Sequence, residues 1–154
     1  MRFLDRLQPL ALLALRVTLG VIMLAHGSIK VHRHMSEFAG YIASLGLPLW
    51  LGYASAFTEF VDGILLITGT FTRLAAVFVF FNMCVATGKV HWQRGPLGAG
   101  GYEFALALCT MAFALIFYGA GPISIDAIRG GDSSRSKWKI AALPYTCVHG
   151  WDGS

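Results

Sequence analysis

Four long apolar segments constrain the fold of this chain more than any other feature of its sequence. They cover residues 9–25, 47–70, 74–88 and 104–125. A membrane core about 30 Å thick is crossed by roughly 17–25 helical residues, and three of the four segments have lengths in that range. The other segment has 15 uncharged residues between Arg73 and Lys89, so it is long enough only if those side chains reach outward to the two interfaces. The pattern predicts four membrane helices.

The composition argues against a water-soluble globule. Hydrophobic residues make up 56% of the chain and charged residues only 13%, whereas soluble domains carry about 25% charged residues. The stretches 75–86 and 104–118 have no polar face, which a soluble helix would need. The net charge of +4 is scattered between apolar segments and forms no basic stripe, which excludes nucleic acid as a partner. We therefore predict an all-α, antiparallel four-transmembrane-helix bundle.

A short helix in the membrane interface is predicted at residues 36–45, after the first span. Ser36 is suited to cap its beginning. Its apolar side chains recur with the spacing of one helical face, and they are Phe38, Tyr41, Ile42 and Leu45.

The connections and their charges predict the topology. Only a few residues around Gly69 and Thr72 join the second and third helices, so these two should be adjacent and antiparallel. The glycine-rich stretch 89–101 predicts an irregular loop at the opposite face. Four spans put both termini on one side, and that side is more basic, which predicts cytoplasmic termini. The terminal side has Arg2, Arg6, Arg73, Arg129, Arg135, Lys137 and Lys139; the other side has Lys30, Arg33, Lys89 and Arg94.

Ionisable residues inside the apolar segments predict an intramembrane polar cluster. Each costs about 2.5–3.5 kcal/mol on an insertion scale, so each needs a partner or a wet cavity. Counted from the predicted helix ends, Arg16, Glu59 and Asp62 lie about nine to twelve residues deep, so we expect Arg16 to face both acids. Lys30 is assigned to the same cluster. Two interpretations stay open: a structural lock between helices, or a proton-binding or ligand-polarising site.

A second group is expected at the face opposite the termini, where His26, His91 and Glu103 should meet near Lys30. A histidine beside a carboxylate at an apolar cleft is suited to exchange protons with a quinone headgroup. The alternative is simple solvation at the membrane interface. These three residues are the candidates for proton handling.

Other polar and sulfur side chains predict no cofactor site of their own. The three cysteines show no CxxC or CxxCH spacing, so neither a disulfide framework nor a covalently bound haem is expected. His32 and His34 alternate without acidic or thiol support, and no metal site is predicted. Cys84 and Cys109 are interpreted as packing residues, and Asn82 as a hydrogen-bonding residue between helices.

Several short motifs, taken in order, resemble the DoxX family of small four-helix membrane proteins. The resemblance covers roughly residues 10–127. Its motifs are R-x-x-x-G at Arg16 and Gly20; H-G-x-x-K at His26, Gly27 and Lys30; the run Glu59, Gly63, Gly69 and Arg73; V-H at Val90 and His91; G-G-Y-E at residues 100–103; and G-x-G-P-x-S-I-D at residues 119–126.

The resemblance implies a bacterial inner-membrane protein linked to redox complexes, because the relatives that name the family are membrane subunits of a thiosulfate:quinone oxidoreductase. The family's polar motif positions match Arg16, His26, Lys30, Glu59, His91 and Glu103 of this chain. Asp62 departs from the pattern, since relatives usually have a small residue there.

The C-terminal extension is a second departure, because most relatives end shortly after the S-x-D element. We divide the chain into a membrane domain, residues 1–127, and a cytoplasmic extension, residues 128–154. The aromatic residues Trp138, Tyr145 and Trp151 of the extension need a surface to bury against. A partner protein or the lipid headgroups would provide it.

Two functions follow from the sequence. The first is an accessory subunit that stabilises or lines a respiratory or photosynthetic electron-transfer complex, in contact with other membrane subunits and structural lipids. The second is a quinone-reactive subunit of an oxidoreductase that receives electrons from a partner. Apart from these structural lipids, quinone is the only small molecule expected to bind.

Overall fold

The computed structural model describes residues 7–92, 95–97 and 100–129. Within these residues every regular element is helical. The aromatic residues Trp138, Tyr145 and Trp151, and nearly all of the predicted extension, lie outside the described part of the chain.

The first helix, α1, is longer than the sequence predicts. It runs over Gln8–Arg33, with a proline in its first turn. Its apolar segment was expected to end at residue 25, but the helix continues through His26 and Lys30. Basic side chains in its last turn favour this continuation, because they lie at the negative end of the helix dipole.

The predicted short helix is confirmed as α2, Met35–Ser44, although it begins earlier than Ser36. Only His34 separates it from α1, and His34 rather than Ser36 occupies the N-cap position without a side-chain capping bond. Ala39 and Ile42 are buried.

The third helix, α3, spans Leu49–Thr68 and packs antiparallel to α1. Its end is set by Gly69, which has a φ of +71° and donates its N–H to Leu65. Glycines set the close contact with α1: a Cβ on Gly27 would lie 2.7 Å from Phe60 Cα. This pairing fixes which residues of the two helices share a level.

The fourth helix, α4, begins at Thr72 after a short turn, as predicted. It is α-helical over Thr72–Val85 and continues as a π-helix over Ala86–His91. The segment was expected to be short for a membrane span, but the continuous helix has 20 residues. The π-helical turns supply the missing length.

The fifth helix, α5, is shorter than its apolar segment, which extends to residue 125. It covers Glu103–Tyr118 and stops at Gly119, because Gly119 and Gly121 both have positive φ angles, +74° and +75°. A short helix, α6, follows at Ile125–Arg129.

Among the described residues, three helices are long and apolar enough to cross a membrane: α1, α3 and the 20-residue α4. The α5 helix is apolar but has only 16 residues. The core between the helices is built from buried apolar side chains, chiefly Leu19, Met23, Leu66, Ala75, Ala76, Val79, Ala112 and Leu115.

Candidate functional site

A cavity of about 730 Å³ lies between α1, α2, α3, α4 and α5. It is found where α1 ends and α3 and α5 begin, and we call this the cavity end of the protein. The opposite end, where α1 and α4 begin and α5 stops, is called the terminal end. The cavity walls are mainly aliphatic and aromatic. Four of the polar lining side chains are joined by hydrogen bonds and form what we call the polar wall: Lys30, Glu59, Ser55 and Asn82.

An ion pair between Lys30 and Glu59 forms the centre of that polar wall. Lys30 Nζ donates to both carboxylate oxygens of Glu59, at 2.7 and 2.6 Å. Glu59 is only 3% exposed, whereas the Lys30 side chain is 24% exposed. The ammonium group also lies 4.3 Å from the centre of the Phe38 ring. A buried carboxylate is thus paired with a cation that retains access to the cavity.

Two further side chains extend this wall onto α4. Asn82 Nδ2 donates to Glu59 Oε1 at 2.9 Å, and Ser55 Oγ donates to Asn82 Oδ1 at 2.8 Å. All four side chains line the cavity. The predicted interhelical role of Asn82 is confirmed. Sequence reasoning did not assign Asn82 to the site, although it is the one strongly polar residue of the apolar segment 74–88.

The predicted contact of Arg16 with Glu59 and Asp62 is wrong. Arg16 lies at the terminal end, where its two terminal nitrogens donate to the carbonyl oxygens of Ala120, at 2.8 Å, and Ile123, at 2.9 Å. The error has a clear cause in the length of α1. Gly27 of α1 packs against Phe60, the neighbour of Glu59, and Arg16 lies 11 residues before Gly27, so Arg16 and Glu59 differ in depth by roughly 16 Å at about 1.5 Å per residue.

Asp62 is buried but does not share the Lys30 ammonium. It is 4% exposed and does not line the cavity. Among the described residues its carboxylate forms no ion pair. Of the predicted polar cluster, the structure joins Lys30 with Glu59 and leaves Arg16 and Asp62 apart.

Two histidines complete the cavity, and both have one ring nitrogen fixed. His26 Nδ1 lies 2.9 Å from the Ile22 carbonyl oxygen, and His91 Nδ1 lies 2.7 Å from the Gly100 carbonyl oxygen. Because a carbonyl can only accept, Nδ1 carries a proton in both rings, and in the neutral form of each ring Nε2 is the acceptor. Both side chains line the cavity.

Glu103 does not join the two histidines in the cavity. It is the first residue of α5, so it lies at the cavity end as expected, but its side chain is exposed and is not part of the wall. The next residue, Phe104, takes the place beside His26, with ring centres 5.8 Å apart.

A separate polar group holds the terminal end together. Asp126 accepts hydrogen bonds from the backbone N–H groups of Phe71, at 2.8 Å, and Thr72, at 2.9 Å. These bonds satisfy free donors at the beginning of α4. They fix the segment after α5 onto the turn between α3 and α4, and Arg16 ties the same segment to α1.

Comparisons with known proteins agree with the motifs. The model of the DoxX family matches residues 11–92. A Haemophilus influenzae protein named "Uncharacterized protein" is 30% identical over 131 residues, which cover 82% of this chain and 96% of the relative. The Bacillus subtilis protein named "Putative oxidoreductase CatD" is 29% identical over 103 residues, 67% of this chain and 76% of the relative. No solved structure matches. With its long apolar helices, the chain is a multi-pass membrane protein and belongs to the DoxX family.

Proposed function

We propose that this protein is the membrane subunit of a larger electron-transfer complex and contributes a quinone-binding cavity to it. The observation that carries the proposal is the Lys30–Glu59 pair on the polar wall of an otherwise apolar cavity. A relative named as an oxidoreductase supports the same class of function.

The cavity suits a lipid-soluble molecule with one polar end. Its volume of about 730 Å³ falls within the usual range of about 300–1,000 Å³ for small-molecule sites. Several lining residues are also exposed on the outside of the protein, among them Phe78, Phe81, Val85 and Phe104. Because these rim residues are apolar, the opening favours entry from the hydrocarbon layer rather than from water.

The polar wall offers the hydrogen bonds that a quinone headgroup needs. The Lys30 ammonium has three N–H donors and directs two toward Glu59, so one is left for a quinone carbonyl. A bond from a charged donor stabilises the negative charge that develops on that oxygen during reduction.

His26 and His91 are assigned to proton exchange. Each presents Nε2 as an acceptor, which can take a proton from a quinol hydroxyl when the quinol is oxidised. Oxidation releases two protons and two electrons, and the electrons pass to a partner subunit. This chain's own contribution is to bind, orient and exchange protons.

We infer that the chain crosses a bacterial inner membrane four times, with α1, α3, α4 and α5 as an antiparallel bundle and both termini in the cytoplasm. The α5 helix, at about 1.5 Å per residue, is about 24 Å long, shorter than the membrane core of about 30 Å. Local thinning of the bilayer, at modest cost, accommodates such a difference. The excess of basic residues on the terminal side supports this orientation.

The C-terminal extension is proposed to dock onto the partner through Trp138, Tyr145 and Trp151. Structural lipids are expected around the helices. No covalently bound cofactor is included in the proposal.

A purely stabilising subunit is the second candidate, because the Lys30–Glu59 pair also links α1 to α3 and could serve as a structural lock. Quinone binding by the purified protein separates the two. The protein is placed in nanodiscs, and binding of a short-chain ubiquinone is measured by the quenching of tryptophan fluorescence. The affinity for this quinone should be at least tenfold weaker in Lys30→Met than in the wild type. Lys89→Met is the matched control, because Lys89 is exposed at the same end and does not line the cavity.

Equal affinity in folded Lys30→Met and wild-type protein would rule out the proposed headgroup site. If wild-type protein binds no quinone yet co-purifies in fixed ratio with other subunits, the stabilising role is the correct one. Purification of the native complex in mild detergent tests that second outcome directly.

A further inference from the structure

Two thiols lie together outside the cavity, between α4 and α5. Cys84 Sγ and Cys109 Sγ are 3.4 Å apart, on helices that are adjacent and antiparallel. Cys109 is buried, and its sulfur also lies 3.9 Å from the Phe80 carbonyl oxygen. Cys84 is exposed on the surface of the protein. A packing role would account for each cysteine on its own helix, but it does not require the two sulfur atoms to be in contact.

We propose that Cys84 and Cys109 are a redox-active dithiol that closes reversibly into a disulfide bond between α4 and α5. The sulfur atoms of a disulfide lie about 2.05 Å apart, so the two thiols must approach by roughly 1.4 Å. Rotation about χ1 of the exposed Cys84 side chain, with a small shift of its partner, can supply this movement.

The oxidation requires a two-electron acceptor, and a peroxide is the simplest one. The exposed Cys84 attacks hydrogen peroxide, the O–O bond breaks, and a sulfenic acid and one water are formed. The Cys109 thiol then attacks the Cys84 sulfur, the S–S bond forms, and the sulfenic oxygen leaves as a second water. Overall, two thiols and one peroxide give one disulfide and two waters.

The bond would form directly behind a wall of the cavity. Met83 and Val85, the neighbours of Cys84, line the cavity, and so does Leu108, the neighbour of Cys109. Oxidation would therefore tie together the two helices that carry this wall. Neither thiol lines the cavity itself, so the dithiol can be tested without any assumption about quinone binding.

The test uses the full-length protein in detergent, with Cys147→Ser so that only the pair can react. One equivalent of 4,4′-dithiodipyridine, an uncharged disulfide reagent, is added, and thiopyridone release is followed by absorbance. The first thiol releases one thiopyridone and keeps the other as a mixed disulfide, which the second thiol then displaces. We expect the release of two thiopyridones per chain. Mass spectrometry should show a protein mass lower by two hydrogen atoms and, after digestion, a peptide pair linked through Cys84 and Cys109.

Cys84→Ser and Cys109→Ser are the matched controls. Cys109→Ser keeps the exposed thiol and should release a single thiopyridone and retain the reagent as a stable mixed disulfide. Cys84→Ser keeps only the buried thiol and should release at most one thiopyridone, more slowly. The proposal is overturned if the protein with both thiols also retains the reagent as a mixed disulfide, or if the pair does not react. Treatment with hydrogen peroxide is the second measurement: it should give the same linked peptide, whereas two separately oxidised cysteines would contradict the proposal.

Discussion

Replacing Lys30 by methionine should destabilise the protein, because it leaves the Glu59 carboxylate buried without its cation. Methionine keeps an unbranched apolar chain beside Phe38, so the loss of charge is the main change. Glu59 is 3% exposed and cannot turn to water. Removing one partner of a buried ion pair costs about 3–5 kcal/mol. Because Asn82 still donates to Glu59, we expect a loss near the lower limit, about 3 kcal/mol.

The assay is unfolding in mixed micelles of dodecyl maltoside and increasing dodecyl sulfate, followed by circular dichroism. Adding Glu59→Gln to Lys30→Met should recover most of the lost free energy, because the amide is neutral and can still accept from Asn82. Glu59→Gln alone should cost less than Lys30→Met, since the Lys30 ammonium is 24% exposed and can hydrate. Lys89→Met serves again as the exposed control.

The reasoning is refuted if Lys30→Met unfolds at the same detergent ratio as the wild type. It is equally refuted if the losses of the two single variants simply add in the double variant, because a coupled pair must show non-additive free energies.

The remaining predictions concern other parts of the chain. Arg16→Leu should lower the free energy of unfolding by about 3 kcal/mol or more in the same assay, because it removes two hydrogen bonds from a charged donor. The affinity of the folded variant for quinone should not change. Asp126→Ala should cost about 1–2 kcal/mol and speed hydrogen exchange at the Thr72 amide, since it removes the cap of α4. Gly27→Leu should abolish folding, as judged by gel filtration, because its side chain collides with the Phe60 backbone. Truncation after Gly131 should leave membrane insertion unchanged but reduce co-purification with partner subunits.

The helices could largely be predicted from the sequence, because apolar length and turn residues determine them locally. The short helix at 36–45 and the tight turn at Gly69 were both found in this way. The end of α1 was missed because Lys30 and Arg33 resemble the polar exit from a span. Nothing local to those residues reveals that the helix continues and brings Lys30 to Glu59.

The site was harder to predict than the helices, because it depends on the level at which they pack. A one-turn error in the end of a helix shifts every residue by about 5.4 Å relative to its neighbours. That kind of error made Arg16 the expected partner of Glu59. The true partners of Arg16 are backbone carbonyls in the segment after α5, and such acceptors have no signature in a sequence.

The two polar groups at opposite ends differ in what they can do for a ligand. At the terminal end, Arg16 and Asp126 bond to the main chain, so neither can change partner without releasing the segment that it holds. At the cavity end, Lys30 and Glu59 are side chains from two helices, and the ammonium group keeps a free donor at the cavity wall. A hydrogen bond exchanged there between ligand and protein costs little net free energy. The proposed ligand chemistry is therefore placed at Lys30 and Glu59, although Arg16, at 2% exposed, is the more deeply buried cation.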